Sequence, residues 1–590
     1  MMVRRAITFA ENITRSSMSL LRWLPITDWL PNYRRAWLSG DLTAGLTVGI
    51  MLVPQGMAYA LLAGLPPIHG LYAATLPLIL YAILGTSRQL AVGPVAMDSM
   101  LTALGVGAIA VVGTSNYLLL AAILALLVGG IQLTAGLLRL GFLVDLLSRP
   151  VISGFTSAAA LIIAGSQLRH LLGVDLGKAS SFLETMTAAF GNISKANGYT
   201  LALGIGGMLL ILVLRRINRK IPAPLFVVGG AVFLVWGFQL DGFGVKIVGD
   251  IPAGLPTLQF QLPTLAQIEL LFPTALAIAL VSFMETIGVG MAVQRRHGNY
   301  KVVPNQELIA VGAANIGNAL VGGYPGAGGF SRTAVNDQAG ANTQLAALIS
   351  AALIILTLLF LTPLFYFLPQ AVLASIIMVA VVGLVDIKEA YRLWKLDRND
   401  FWMLVATFLA TLFLGIQLGI GIGVLLSLAV HIYRGMRPHL AVLGRLPGTG
   451  VYRNVNRFTE VEATPGVLIL RFDGPLFFAN VGYFREQLAA ALRQREEPIN
   501  AIVLNAEGIS SMDSTATDTL RDLLEELRSK DIKLIMAGAI GPVRDTLFHS
   551  GITEKIGAEF FAFDVADAVG LLNHPLHPRP RPEYAIQCNQ

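Results

Sequence analysis

Between residues 41 and 435 the sequence offers one apolar run after another, each of about the 20 residues that a helix needs to cross a 30 Å hydrocarbon layer. No water-soluble core accommodates so many runs of that length, so the body of the chain belongs in a bilayer. The segments are 41–63, 66–84, 93–112, 117–140, 147–172, 199–216, 222–240, 268–293, 304–321, 329–340, 343–367, 369–385, 400–415 and 417–435. That makes fourteen.

Charge tests this reading. Of the 590 residues only 13% are charged and 55% are hydrophobic. Residues 1–437 are about 10% charged, whereas residues 438–590 reach about 22%, near the value for soluble domains. Lys and Arg gather after even-numbered segments: Arg139 and Arg149; Arg215, Arg216, Arg219 and Lys220; Arg295, Arg296 and Lys301; Lys388, Arg392, Lys395 and Arg398. Loops on the other side are poorer in cations, with Lys178, Lys195 and Lys246. This distribution predicts a multi-pass protein of the cell (inner) membrane with both termini cytoplasmic. The net charge of +6 follows the short loops and does not indicate a nucleic-acid partner.

Residues 1–40 contain Arg4, Arg5, Arg15, Arg22, Arg34 and Arg35 without the pattern of a cleaved signal peptide, and are expected to be a cytoplasmic segment. The single cysteine, Cys588, supports no disulfide and no Cys-based metal site or nucleophile. The histidines lack metal-ligand spacing, no Walker A sequence is present, and no nucleophile, base and orienting acid come together, so neither a cofactor nor an enzyme is expected.

Two segments are unusual and stand at equivalent places in two sets of seven. The third begins with Gly93-Pro94, where proline removes a helical N–H and keeps its predecessor extended. The tenth follows Gly322-Gly323-Tyr324-Pro325-Gly326-Ala327-Gly328-Gly329, with Ser331 as its expected N-cap. A kink at Pro94 and a surface glycine loop are the plain alternatives for each taken singly. As a matched pair they point to inverted repeats with a ligand site between two broken helices.

Beyond residue 437 the pattern becomes that of a small α/β domain, with candidate strands at 467–472, 501–505 and 533–537 and helices at 481–494, 514–529 and 542–549. Residues 575–590, rich in proline, read as a disordered tail.

Particular motifs extend this reading. Gly40-Asp41-Leu42-Thr43-Ala44-Gly45-Leu46, Val53-Pro54-Gln55-Gly56-Met57-Ala58-Tyr59-Ala60, Gly85-Thr86-Ser87-Arg88, Asn305-Gln306-Glu307 and Phe330-Ser331-Arg332-Thr333-Ala334-Val335-Asn336 resemble the sulphate permease family, which includes the animal anion exchangers and prestin. Gly474-Pro475-Leu476-Phe477-Phe478-Ala479-Asn480 and Met512-Asp513-Ser514-Thr515 resemble its STAS domain. The resemblance implies an α-helical polytopic membrane protein of fourteen transmembrane helices in two inverted seven-helix repeats, with core and gate domains. It also implies a cytoplasmic α/β STAS domain that promotes homodimers. The expected division is 1–40, transport domain 41–437, STAS domain 438–574 and tail 575–590.

A small anion in a dry site needs donors and positive charge. Two opposed helix N-termini supply both, which places Val95 and Ala96 with Phe330, Ser331 and Arg332 around the substrate. Arg332 can grip an oxyanion with two parallel hydrogen bonds, or pair structurally with Glu285 or Asp337. Gln55 and Tyr59, one helical turn apart, either line the pocket or pack. Glu285 lies mid-membrane, where a carboxyl can take up a proton on one side and release it on the other, or simply tie helices together. In the family an acidic residue here sits beside the substrate and bears on cation coupling. Thr286 is the candidate ligand should the cation be sodium instead of a proton. Asp98 and Asp337 are expected to be structural pairing groups. Ser514 resembles the phosphorylated switch of soluble STAS proteins, and the plainer reading, that Asp513 or Ser514 caps the helix, is the favoured one.

These readings predict a secondary active anion transporter, with sulfate first and bicarbonate or a dicarboxylate as alternatives. A channel or sensor signalling through a STAS partner is the reading from another class.

Overall fold

The computed structural model describes residues 24–573 apart from 143–147, 177–181, 218–221, 260 and 496. The expected N-terminal segment up to residue 23, Lys178, Arg219, Lys220 and the tail 575–590 lie outside these residues.

Among the described residues the membrane unit is helical: α1 Leu38–Leu62, α2 Pro67–Tyr72, α3 Leu76–Leu84, α4 Ala96–Gly107, α5 Ser115–Leu137, α6 Arg149–Leu172, α7 Phe182–Gly191, α8 Gly198–Ile217, α9 Ala223–Phe238, α10 Leu265–His297, α11 Pro304–Leu320, α12 Phe330–Gln338, α13 Leu345–Leu356, α14 Gln370–Val382, α15 Ile387–Leu396, α16 Arg398–Leu414 and α17 Ile416–Met436. Each of the fourteen apolar segments contains helix. Eight helical stretches are both long and apolar enough to cross a membrane.

Local chemistry explains the departures from simple spans. Segment 66–84 divides into α2 and α3 because Pro77, the second residue of α3, cannot continue a helix that would need its N–H. Segment 343–367 runs through α13, a π-helical turn Thr357–Leu361 and a 3-10 turn Thr362–Phe365 that carries Pro363. At 1.5 Å per residue, α4 and α12 are only about 18 and 14 Å long, each about half a bilayer.

Close approach of backbones holds the helices together. On α5, a Cβ at Gly129 would meet Gly312 O at 2.6 Å, and on α11 a Cβ at Gly312 would meet Gly129 O at 2.9 Å. Two buried carboxylates tie the halves of the sequence. Asp41 accepts from Asn342 N at 2.6 Å, Thr343 N at 3.0 Å and Thr343 Oγ1 at 2.7 Å. Glu307 accepts from Tyr81 Oη and Thr86 N, both at 2.7 Å.

The chain divides into two compact units between Ser427 and Leu428, inside α17. The last turns of α17 are bonded to the C-terminal unit, where Asn480 Nδ2 donates to Gly435 O at 3.1 Å.

That second unit carries a six-stranded sheet, order β4-β3-β5-β6-β7-β8: β3 His439–Arg445, β4 Tyr452–Asn454, β5 Val467–Asp473, β6 Ala501–Asn505, β7 Lys533–Ala537 and β8 Phe561–Ala562. Strands β5 to β8 are parallel, while β3 is antiparallel to β4 and β5. Helices α18 Val481–Arg493, α19 Ser514–Ser529, α20 Gly541–His549, α21 Ile552–Ile556 and α22 Val565–Asn573 complete it. Leu520, Leu523, Leu524 and Leu527 of α19 are buried, as their spacing requires.

Candidate functional site

The glycine-rich segments become a minimal sheet. β1 (Val92–Gly93) and β2 (Ala327–Gly328) pair antiparallel, Val92 with Gly328 and Gly93 with Ala327. Antiparallel pairing sends the two following helices away from the crossing in opposite directions, leaving both N-termini beside it. Only small residues allow this approach, since a Cβ at Gly326 would lie 2.8 Å from Gly93 O.

Polar side chains from the surrounding helices fix both strands. Asn315 of α11 accepts from Gly326 N at 2.8 Å and donates to Gly326 O at 3.1 Å and to Gln132 Oε1 at 2.9 Å. Gly328 N donates to Thr286 Oγ1 at 3.0 Å, and Thr286 in turn donates to Ser282 O at 2.7 Å. On the other strand Ala91 N donates to Thr333 Oγ1 at 3.0 Å, and Asn336 Nδ2 donates to Gln89 O at 2.8 Å. A buried polar network with this many partners fixes one arrangement of the backbone.

The first intrahelical bonds are Ser99 N to Val95 O in α4 and Thr333 N to Gly329 O in α12. The amides of Ala96, Met97 and Asp98, and of Phe330, Ser331 and Arg332, therefore have no acceptor within their helices, which is the condition for anion binding at a helix N-terminus. Val95 and Gly329 are the N-caps, both with extended backbone. Ser331 is not the cap: α12 begins one residue before it, at Phe330, because Gly329 is the last extended residue.

Arg332 is 1% exposed. Its Nη1 donates to Pro94 O across the crossing, whereas Nε and Nη2 have no partner. Glu285 of α10 interacts electrostatically with Arg332, and so do Tyr59 and Tyr324. Gln55 Nε2 donates to Tyr59 Oη at 3.0 Å, so the pair on α1 does share a face, and both side chains are buried. Val95 and Ala96 are buried at the crossing, whereas Phe330 and Ser331 are exposed on its open side.

The two aspartates differ from each other. Asp337 is a pairing group, bound to Arg296 at 3.1 Å and His297 at 2.6 Å, which leaves Arg332 free of it. Asp98 is not: it is fully buried, and among the described residues neither carboxyl oxygen has a hydrogen-bond partner. Tyr324, Asn315 and Gln132 also belong to this site and were not anticipated. A tyrosine inside a glycine-rich break was the one available signal.

In the C-terminal unit Asp513 is the N-cap of α19, accepting from Ala516 N at 2.8 Å, and it also accepts from Phe478 N at 2.8 Å. Ser514 is the exposed first residue of that helix.

Residues 38–407 match the sulfate permease family and residues 459–568 match the STAS domain. The chain belongs to the sulfate permease family, a family of membrane transporters and not of enzymes. It is 38% identical over 580 residues to the chloroplastic sulfate transporter 4.1 of Arabidopsis thaliana, covering 94% of this chain and 83% of that one. A probable sulfate transporter of Mycobacterium tuberculosis is 36% identical over 553 residues, covering 94% and 98%. Among solved structures, the murine Slc26a9 anion transporter in the inward-facing state aligns with a TM-score of 0.87 at 27% identity, covering 94% of this chain and 95% of that one. The transmembrane domain of the cyanobacterial bicarbonate transporter BicA shares the fold, with a TM-score of 0.57 at 24% identity over 67% of this chain and 98% of that one.

Proposed function

We propose that this chain is a secondary active transporter of a small oxyanion, sulfate first, driven by protons through alternating access. The observation that carries the reading is Arg332, a buried guanidinium with two unpartnered nitrogens at the N-terminus of a half-length helix, facing the start of a second one. Six amides without intrahelical acceptors and one fork of N–H donors suit a tetrahedral oxyanion. Val95, Ala96, Gln55 and Tyr59 form the pocket wall on this reading, and Phe330 and Ser331 stand at its open mouth.

Glu285 is the coupling group. Its Oε2 is buried without a partner, and it lies in the field of the cation that holds the anion, so a proton on Glu285 and an anion on Arg332 favour one another. A proton suits the site better than sodium because the Thr286 hydroxyl is already engaged by Gly328 N and Ser282 O. The cation-rich loops after even-numbered segments support a cell-membrane protein with cytoplasmic termini. The STAS unit then serves as a cytoplasmic module for homodimer formation and regulation, with exposed Ser514 available for phosphorylation.

Labelled-sulfate uptake into proteoliposomes tests this. An inward proton gradient should drive accumulation above equilibrium, and Glu285→Gln should leave exchange but sharply lower the accumulation that the gradient drives. Uptake indifferent to both the gradient and the substitution would sink the proposal.

A further inference from the structure

Asp98 has no role in the mechanism so far, yet it occupies the first turn of α4 beside the amides offered to the anion. The side chain is fully buried, and both carboxyl oxygens lack a donor. It interacts electrostatically with Glu285 of α10 and with Tyr324 of the loop before β2; Tyr324 in turn interacts with Arg332 of α12 and with Tyr59 of α1. Among the described residues these are the titratable and charged groups linked to it by electrostatic interaction. Its α4 neighbours Ser99 and Thr102 turn their hydroxyls to Val95 O and Asp98 O, each at 2.7 Å, and not to the carboxyl. Among the described residues neither Asp98 nor Glu285 forms an ion pair with Arg332, and each of the three keeps buried polar atoms without a partner, so the two acids and the base interact without neutralising one another in a pair.

Charge decides what this group of side chains accepts. With both carboxyls ionised and one guanidinium, the group carries −1 and opposes any anion. One proton brings it to zero, and two bring it to +1, the only state with net attraction. An ionised carboxylate without a donor in a dry site is also costly, whereas a protonated one becomes a donor itself.

We propose that Asp98 is a second proton-carrying group of the transport site, so that each divalent oxyanion crosses with two protons, one on Glu285 and one on Asp98, whose O–H donates to the anion. Both protons come from water on the entry side and return to water on the exit side, and no bond of the anion breaks. This rests on the proton-coupled reading above. The stoichiometry makes sulfate transport electroneutral.

The test uses full-length protein in proteoliposomes, with the proton gradient and membrane potential set independently. For the wild type, sulfate accumulation should rise about 100-fold per unit of pH gradient and ignore voltage. Asp98→Asn should rise about tenfold per unit and become voltage-sensitive, with about 60 mV inside-negative lowering accumulation about tenfold. In a weakly buffered solution at a pH where both carboxyls of the free protein are ionised, sulfate binding to the wild type should take up two protons, a count that needs no variant. A wild type indifferent to the proton gradient would overturn the coupled reading itself. One that accumulates sulfate with a single proton, or an Asp98→Asn protein that remains electroneutral, would overturn the role of Asp98 alone.

Discussion

At the scale of the residue, the proposed function rests on a few groups that contribute almost nothing to composition. Arg332 matters for its fork of donors as much as for its charge, since an ammonium cannot offer two parallel N–H bonds while keeping a third to Pro94 O. Arg332→Lys should therefore weaken sulfate binding by about 10- to 100-fold, read as the rise in half-saturation of uptake, the range expected for losing a hydrogen bond to a charged partner. Arg332 and Glu285 were legible in the sequence because a charge in an apolar run is conspicuous. Asp98 was seen but misassigned: sequence gives its depth in the membrane, while only the packing of α4 against α10 and the crossing shows that nothing pairs with it. Asp41 and Glu307, present in the family motifs, proved to be clamps that reach residues 220 or more positions away, a separation that no local pattern encodes, although Asp41 also accepts from the nearby Tyr33 hydroxyl.

At the scale of the element, the site is a crossing of two two-residue strands, and its geometry depends on the absence of side chains. A Cβ at Gly326 would press on the backbone of Gly93, which is itself tied into the crossing, so neither side can yield cheaply. Gly326→Ala should cost about 1–3 kcal/mol of stability by overpacking and lower sulfate affinity at least tenfold. Gly107→Ala, at the far end of α4 where nothing lies within 4 Å, should leave both unchanged; thermal unfolding and uptake measured side by side separate the two. The helical segments were readable because period and length survive in sequence. Pro94 and the glycine run announced the breaks, but not the antiparallel pairing between residues more than 230 positions apart. In the C-terminal unit, strands β5 to β7 were legible as apolar runs buried on both faces, whereas β3 alternates and β4 and β8 are too short to announce themselves.

At the scale of the whole molecule, the chain combines a membrane unit and a soluble STAS unit. The 13% charge average conceals both. On the proposed reading, two half-length helices within the membrane unit let charge be handled by backbone dipoles, one guanidinium and two carboxyls, leaving most of the slab apolar. The central claim is that the transported anion sits at this crossing. Selenate has the shape and charge of sulfate, and selenium scatters anomalously, so crystals of the full-length protein grown with selenate locate the anion directly. One strong selenium peak is expected within hydrogen-bonding distance of the Arg332 guanidinium and the first amides of α4 and α12. A peak elsewhere in the membrane unit, with the crossing empty while selenate competes with sulfate for uptake, would contradict it.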